Sequence, residues 1–232
     1  MARILAGIAS RTPIPADQRF AESLPLFLLK VFELFNFSFS VYQVVGKKLD
    51  DAQNEIAEVS VHGNFDYLLL LEDDHWGHKP EMLDALVKAD VDVCSILQYS
   101  RWYPYFRACM LRDGNFKDGR PKFREALYTE GVHPCDLIPF GMCLIRTSVF
   151  ERIPKPWFRM NQKKGYTDQA FCSSLMEAGI QPMACFDFTL PHRDITAENV
   201  LEKRRQNLYP FQQSRYREKI SKKLGELKGV RV

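Results

Sequence analysis

A chain of 232 residues that is 46% hydrophobic and 26% charged has the composition of a globular domain with a sizeable core, which excludes a disordered or fibrous chain. Its formal net charge of +3 is too small to mark a polyanion-binding protein by bulk charge alone. Six cysteines, at positions 94, 109, 135, 143, 172 and 185, include no CxxC pair and no zinc-like spacing, so they read as buried small hydrophobes in a reducing compartment.

Residues 3–10 predict a short buried strand, ended by the prolines of 11-RTPIP-15. Phe20, Leu24, Leu28, Val31 and Phe35 fall at helical spacing, which predicts a helix over 17–35 with Pro25 as its kink or its true start. The apolar window 24–37 is too short for a bilayer span and is broken by Lys30 and Glu33; with no targeting segment in sight, a cytoplasmic protein is expected. A strand over 39–45 and a helix over 49–61 follow, the latter with Leu49, Ala52, Ile56 and Val59 on one face and Gly63-Asn64 at its end. Residues 67–71 are uniformly apolar, as in a strand covered on both faces. Pro80 suits the first turn of a helix over 81–89, and 91–97 again reads as strand.

This alternation predicts an α/β fold with an open, mostly parallel, Rossmann-like sheet flanked by helices. In the second half, Asp113-Gly114-Asn115 predicts a hairpin turn, and strands are expected over 142–146 and 183–188. A helix over 168–178 stops at Gly179. No internal repeat or low-complexity linker occurs, so one domain over 1–194 is expected, with a basic helical extension over 195–232 packed on or beside it.

The stretch 67-YLLLLEDDHWGHKP-80 ends its strand on Glu72, Asp73 and Asp74. In open α/β sheets the ligand crevice lies at the carboxyl ends of the strands. Carboxylates crowded there must be protonated, exposed or paired with a cation. A divalent ion held by one or two of them, and by substrate phosphates, is one solution; acids capping a solvated turn are the other.

The segment LLLLEDD, followed by a proline-started helix and 92-DVCSILQYSR-101, resembles the DXD region of GT-A-fold glycosyltransferases, more closely the family-two-like enzymes. Segments 51-DAQNEIA-57, 139-PFGMCLIRTSVFERI-153, 166-YTDQAFCSSLMEAGI-180 and 187-DFTLPHRD-194 resemble further family motifs in the same order. Gln53 stands where the family usually has arginine, and Thr167 where it has glutamate. The resemblance implies a GT-A fold and Mn²⁺ or Mg²⁺ held by Asp74 and His192; His75 matches no fixed position of the family, though its ring nitrogen offers a further ligand. The resemblance further implies a nucleotide-sugar pocket lined by Ala9, Ser10, Arg11, Thr12, Asn54, Glu72, Asp73 and Gly141, and Asp168 as the general base. An acid in the first turn of a helix also complements the helix dipole, with Thr167 as N-cap, so Asp168 has a structural reading too.

The expected reaction is sugar transfer from a nucleotide-sugar donor, UDP-linked by preference, to an acceptor hydroxyl with inversion. A metal would stabilise the departing diphosphate and a carboxylate would activate the acceptor. The acceptor (glycan, protein, lipid or nucleic acid) is left open. Two other classes remain open. One is a metal-dependent hydrolase or nucleotidyltransferase-like enzyme acting on a phosphate ester. The other is a non-catalytic module binding nucleic acid or an anionic membrane surface through the basic tail, where Lys203, Arg204, Arg205, Arg215, Arg217, Lys219, Lys222 and Lys223 alternate with Tyr209, Phe211 and Tyr216.

Overall fold

The structure is a computed structural model that describes residues 2–13, 17–35, 37–100, 105–116, 119, 121–160 and 166–200. The basic tail from position 201 onward, Arg101, Trp102 and Tyr103 lie outside the described residues.

The chain opens with β1 (Arg3–Ser10), α1 (Gln18–Leu34), β2 (Ser38–Val45), α2 (Leu49–His62), β3 (Tyr67–Glu72), α3 (Pro80–Lys88) and β4 (Val93–Gln98). It continues with β5 (Met110–Asn115), β6 (Pro121–Glu125), β7 (Val132–Pro134), β8 (Met142–Arg146), α4 (Val149–Arg152), α5 (Thr167–Glu177) and β9 (Met183–Leu190). Seven strands form one sheet in the order β2-β1-β3-β8-β4-β9-β7. β2, β1, β3, β4 and β9 run one way, while β8 and β7 are reversed. The sheet is therefore mostly parallel, as the alternating pattern predicts.

Alternation along each strand sorts the core into two layers. Ile4, Ala6 and Ile8 of β1, with Leu69 and Leu71 of β3, face Phe20, Phe27 and Val31 of α1 and Met82, Leu83 and Leu86 of α3. Leu5, Leu68 and Leu70 face the other way, toward Ala52, Ile56 and Ala57 of α2 and the aromatic group of Phe140, Phe150, Phe158 and Phe171. Gly7 lets α2 lie close on β1: a Cβ there would stand 2.1 Å from Ile56 Cγ2 and 3.1 Å from Leu68 Cδ1. Gly7→Ala should therefore destabilise the fold by overpacking, by about 1–3 kcal/mol. The measurement is a urea titration, in which an unchanged midpoint would mean that α2 moves away at no cost.

Three expectations are corrected. α1 starts at Gln18 and runs through Pro25, which lies on the exposed face, so Pro25 is not the helix start. The hairpin is present as β5–β6, but Asp113-Gly114-Asn115 belongs to β5 and not to the turn. Arg112 pairs with Phe123 and Asn115 with Pro121, so β5 carries one extra residue, and Gly114 spends its φ of +79° on that bulge. Thr167 is the buried first residue of α5; Tyr166 holds the N-cap position, and no side chain caps the helix.

All six cysteines are buried and free, as expected. Burial raises the thiols of Cys109, Cys143 and Cys172, which disfavours their reactive thiolates. Among the described residues no helix is long and apolar enough to cross a membrane. Residues beyond 194 continue to pack: Ile195 and Val200 are buried, and the Thr196 hydroxyl accepts from Asn199 N–H at 3.3 Å.

Candidate active site at the end of the central strand

β1 and β3 pair in parallel, with Ala9 beside Glu72, so both strands deliver their last residues to the same edge of the sheet. Beyond Glu72 the chain turns sharply, and His75 N–H donates to the Glu72 carbonyl at 3.3 Å. The segment after β9 folds against this turn. Trp76 N–H donates to the Pro191 carbonyl at 3.3 Å, and Arg193 N–H donates to the Asp74 carbonyl at 3.0 Å. Arg193 adopts a φ of +52°, a left-handed conformation uncommon for a residue with a side chain, and these backbone bonds hold it there. α1 is tied to the same place through Asp17 N–H, which donates to the Asp73 carbonyl at 3.0 Å.

The result is a tight polar cluster. Asp74 Oδ1 lies 3.0 Å from His75 Nδ1, and Asp74 Oδ2 lies 3.1 Å from His192 Nε2. The two imidazoles stack with centroids 4.1 Å apart and planes 19° off parallel. His75 is fully buried and His192 nearly so. Among the described residues, Asp74, His75 and His192 form a group that can hold a metal ion, with ligand atoms all within 4.8 Å of one another.

Protonation follows from geometry. His192 Nδ1 lies 3.1 Å from the Tyr99 carbonyl oxygen, an acceptor only, so Nδ1 carries the proton and Nε2 presents its lone pair toward Asp74 in the neutral ring. A proton on Nε2 makes this contact an ion pair with Asp74; in its absence the ring nitrogen and the carboxylate oxygens form a donor set that fits a metal ion. Burial alone would raise the Asp74 carboxyl, but its contacts with His192 and His75 outweigh burial and hold it well below the usual carboxylate range. Asp74 is therefore ionised at any working pH, as a metal ligand must be.

Gly141 stands against this cluster. Its carbonyl accepts from Glu72 N–H at 3.4 Å, and a Cβ there would lie 2.1 Å from Gln98 Oε1 and 2.7 Å from His75 Nε2. Gly141→Ala should displace the His75 ring and weaken divalent-ion binding about tenfold or more, in the range typical of disturbed ligand support. Calorimetric titration of Mn²⁺ measures it; wild-type affinity would show that the ring needs no such clearance.

Of the other expected residues, Ser10 is buried at the end of β1, and its hydroxyl accepts from Gln43 Nε2 at 3.1 Å. Arg11 and Thr12 follow on the exposed edge. Asn54 is more committed than the resemblance suggests. Its Nδ2 donates to the Phe158 carbonyl at 2.7 Å and its Oδ1 accepts from Phe158 N–H at 3.1 Å, so it clamps the loop before α5 onto α2.

Asp168 is half-buried in the first turn of α5 and accepts from Gln169 N–H at 2.8 Å. Burial pushes its carboxyl up to about 6, against the pull of its backbone hydrogen bonds. It makes no hydrogen bond to the Asp74 cluster. Its helix reaches the site indirectly: Phe171 packs on Phe140, the residue before Gly141, with ring centroids 5.6 Å apart.

Several participants act in ways that side-chain motifs do not announce. Tyr99 orients His192 through its backbone carbonyl. Trp76 closes the turn by donating from Nε1 to the Arg193 carbonyl at 2.7 Å, and the Arg19 guanidinium sits 4.6 Å above its ring. His78 is buried against Phe20 and Phe27, where burial and the nearby His75 push its imidazole down to about 3 and keep it neutral. For Tyr99 and His78 nothing in the linear pattern gave a signal.

No family model matches the chain, and no curated protein does. Among solved structures it is similar to A197 from STIV, at 15% identity and a TM-score of 0.50, over 81% of this chain and 83% of that one. It is also similar to a CMP:2-keto-3-deoxy-manno-octonic acid synthetase complexed with CTP, at 11% identity and TM-score 0.47, over 90% and 99% of the two chains. A 4-diphosphocytidyl-2C-methyl-D-erythritol synthase from Anaerococcus prevotii matches at 9% identity and TM-score 0.46, over 89% and 96%. At these identities likeness bears on the fold alone. The mostly parallel seven-stranded sheet with its two reversed strands is a mixed α/β fold, as the alternating sequence pattern predicts, and the polar cluster lies at the carboxyl edge of its parallel strands.

Proposed function

We propose that the protein is a metal-assisted glycosyltransferase of the family-two-like kind, moving a sugar from a nucleotide-sugar donor, UDP-linked by preference, to an acceptor hydroxyl. The observation that carries this reading is the meeting of Asp74, His75 and His192 where β3 ends beside β1. That is the position at which open α/β sheets bind nucleotides.

In this reading Ala9, Ser10, Arg11 and Thr12 line the nucleotide side, at the end of β1. Glu72 and Asp73 face the ribose and the ion's water shell, Gly141 supports the sugar side by giving the His75 and Gln98 side chains their clearance, and Asn54 holds the 158 loop in place beneath. Asp74 and His192 hold Mn²⁺ or Mg²⁺, with Tyr99 keeping the His192 ring in its ligating tautomer. The ion, when bound, supplies Lewis-acid stabilisation of the diphosphate leaving group. Asp168 accepts the proton of the acceptor hydroxyl; its carboxyl, raised to about 6, is ionised at neutral pH yet more basic than an ordinary aspartate. The bond from the anomeric carbon to the diphosphate breaks as the acceptor oxygen bonds to that carbon from the opposite face. One displacement inverts the centre.

The test is a thermal-shift screen of nucleotide sugars with and without Mn²⁺. A donor at about a hundredfold above its Kd should add about 2.7 kcal/mol of stability, and only with the ion present. Shifts that ignore the ion would overturn the reading. Ion-dependent phosphate release without acceptor would replace it with a hydrolase.

A further inference from the structure

We propose that β2 is an interface strand, whose outer edge pairs antiparallel with β2 of a second copy of this chain and joins the two sheets across a two-fold axis. The inference stands apart from the proposed sugar transfer and survives its failure.

β2 begins the strand order, so among the described residues its outer side pairs with nothing. Its inner side is taken by β1: Ser38 N–H donates to the Ala2 carbonyl at 2.9 Å, and Gly46 N–H, just past the strand, donates to the Ser10 carbonyl at 3.0 Å. With a period of two, the backbone groups of the even-numbered residues point to β1, and those of Phe39, Val41, Gln43 and Val45 point outward. Edge strands are ordinarily blunted by charge, proline, brevity or a bulge. β2 has none of these. Its eight residues, SFSVYQVV, include no charge and no proline, and they follow β1 in unbroken register.

α1 supplies a second, independent observation. It packs beside α3, and the Arg19 guanidinium over the Trp76 ring marks the flank that faces α3. At about 100° per residue, the opposite flank holds Ala21, Pro25, Leu28 and Phe32, and it lies toward β2. No charge falls on it, and Phe32 is 70% exposed. Val41 and Val45 project from β2 on that same side of the sheet, alongside Phe39, and are 48% and 40% exposed. Helix flank and strand edge thus form one apolar wall.

Size and symmetry select a second copy as the occupant. Eight residues at roughly 3.3 Å each make the face about 26 Å long, and the helix, sheet and helix layers make it about 30 Å tall. That is on the order of 800 Å², the area each partner gives to a standard stable complex. A two-fold axis through Tyr42 pairs Val41 with Gln43 of the second copy and Phe39 with Val45, which uses every outward N–H and C=O of these four residues. The same axis reverses the second α1, so each Phe32 meets the small Ala21 end of the other helix. A self-complementary patch of this kind is what an isologous dimer requires.

Sedimentation of the full chain over a range of concentrations, with amide hydrogen exchange across residues 39–45, tests the proposal. The expected result is a species of twice the chain mass, with the Phe39, Val41, Gln43 and Val45 amides protected more strongly as concentration rises. Val41→Lys should weaken association about a hundredfold or more, because it sets like charges on the joined edge. Phe32→Glu should weaken it too, whereas Leu26→Glu, on the flank away from β2, should leave the mass unchanged. A dimer that Val41→Lys leaves intact would overturn the proposal, and so would a monomeric wild type. In that monomer, protected amides would mean that a segment of this chain covers the edge, and fast exchange would mean a bare edge. The wild-type mass decides the matter even if a variant fails to fold.

Discussion

Asp74→Ala should abolish divalent-ion-dependent binding of a nucleoside diphosphate, by a hundredfold or more, without unfolding the chain. Asp74 is the one carboxylate that touches both imidazoles, at 3.0 and 3.1 Å. Loss of a residue that merely supports a ligand typically costs 10–100-fold in metal affinity, so loss of the central ligand should cost more, roughly 3 kcal/mol or above. The backbone that shapes the turn does not need the side chain, since Arg193 N–H bonds the Asp74 carbonyl and Trp76 N–H bonds the Pro191 carbonyl in either case. Calorimetry with UDP and Mn²⁺ in wild type and variant gives the answer, with circular dichroism to verify folding. Equal affinity in both would remove Asp74 from the site.

Asp168→Asn should separate chemistry from binding. Donor affinity should persist while transfer slows by about 10²–10⁴-fold, the usual contribution of a positioned general base. The same change should stabilise the protein at neutral pH. The Asp168 carboxyl is raised from an ordinary value of 3.8 to about 6 because burial disfavours its charge. Between those values the folded state binds more protons than the unfolded state, so this group's contribution falls as pH rises through the window and is fully lost above about 6. At roughly 1.4 kcal/mol per unit, an uncharged asparagine should recover on the order of 3 kcal/mol at pH 7.5 and almost nothing at pH 3.5. Urea titrations of both proteins at the two pH values isolate this term, because the acid destabilisation from charging buried His78 is common to both and cancels. A variant that is less stable at pH 7.5, or fully active, would leave Asp168 as a structural cap.

Much of this was legible in the sequence because it rests on local pattern. β1 and β8 fall on the bounds that apolar runs predict, and Pro80 opens α3 where its missing N–H does no harm. Periodicity found the face of α1 but passed over Phe27, one of its three buried residues, since the strict spacing of Leu24 and Leu28 drew attention first. Asp113-Gly114-Asn115 misled because a glycine at positive φ serves a bulge as well as a turn, and only the pairing register tells them apart.

The site divides in the same way. Asp74 and His192 were placed by motif order, although 118 positions separate them, and the fold brings them to 3.1 Å. His75 entered as an afterthought of the same motif and proves to be buried in its centre. Tyr99, which acts through its carbonyl, and Asn54, whose amide is taken by Phe158, depend on contacts between distant segments that no spacing encodes.

The central claim is that one cation is shared between a diphosphate and the side chains of Asp74 and His192. Anomalous diffraction from crystals soaked with Mn²⁺ and UDP tests it most directly. The account predicts a single peak between Asp74 Oδ2 and His192 Nε2 with phosphate oxygens on its open side. A nucleotide bound elsewhere, or a manganese peak away from these two atoms, would contradict it.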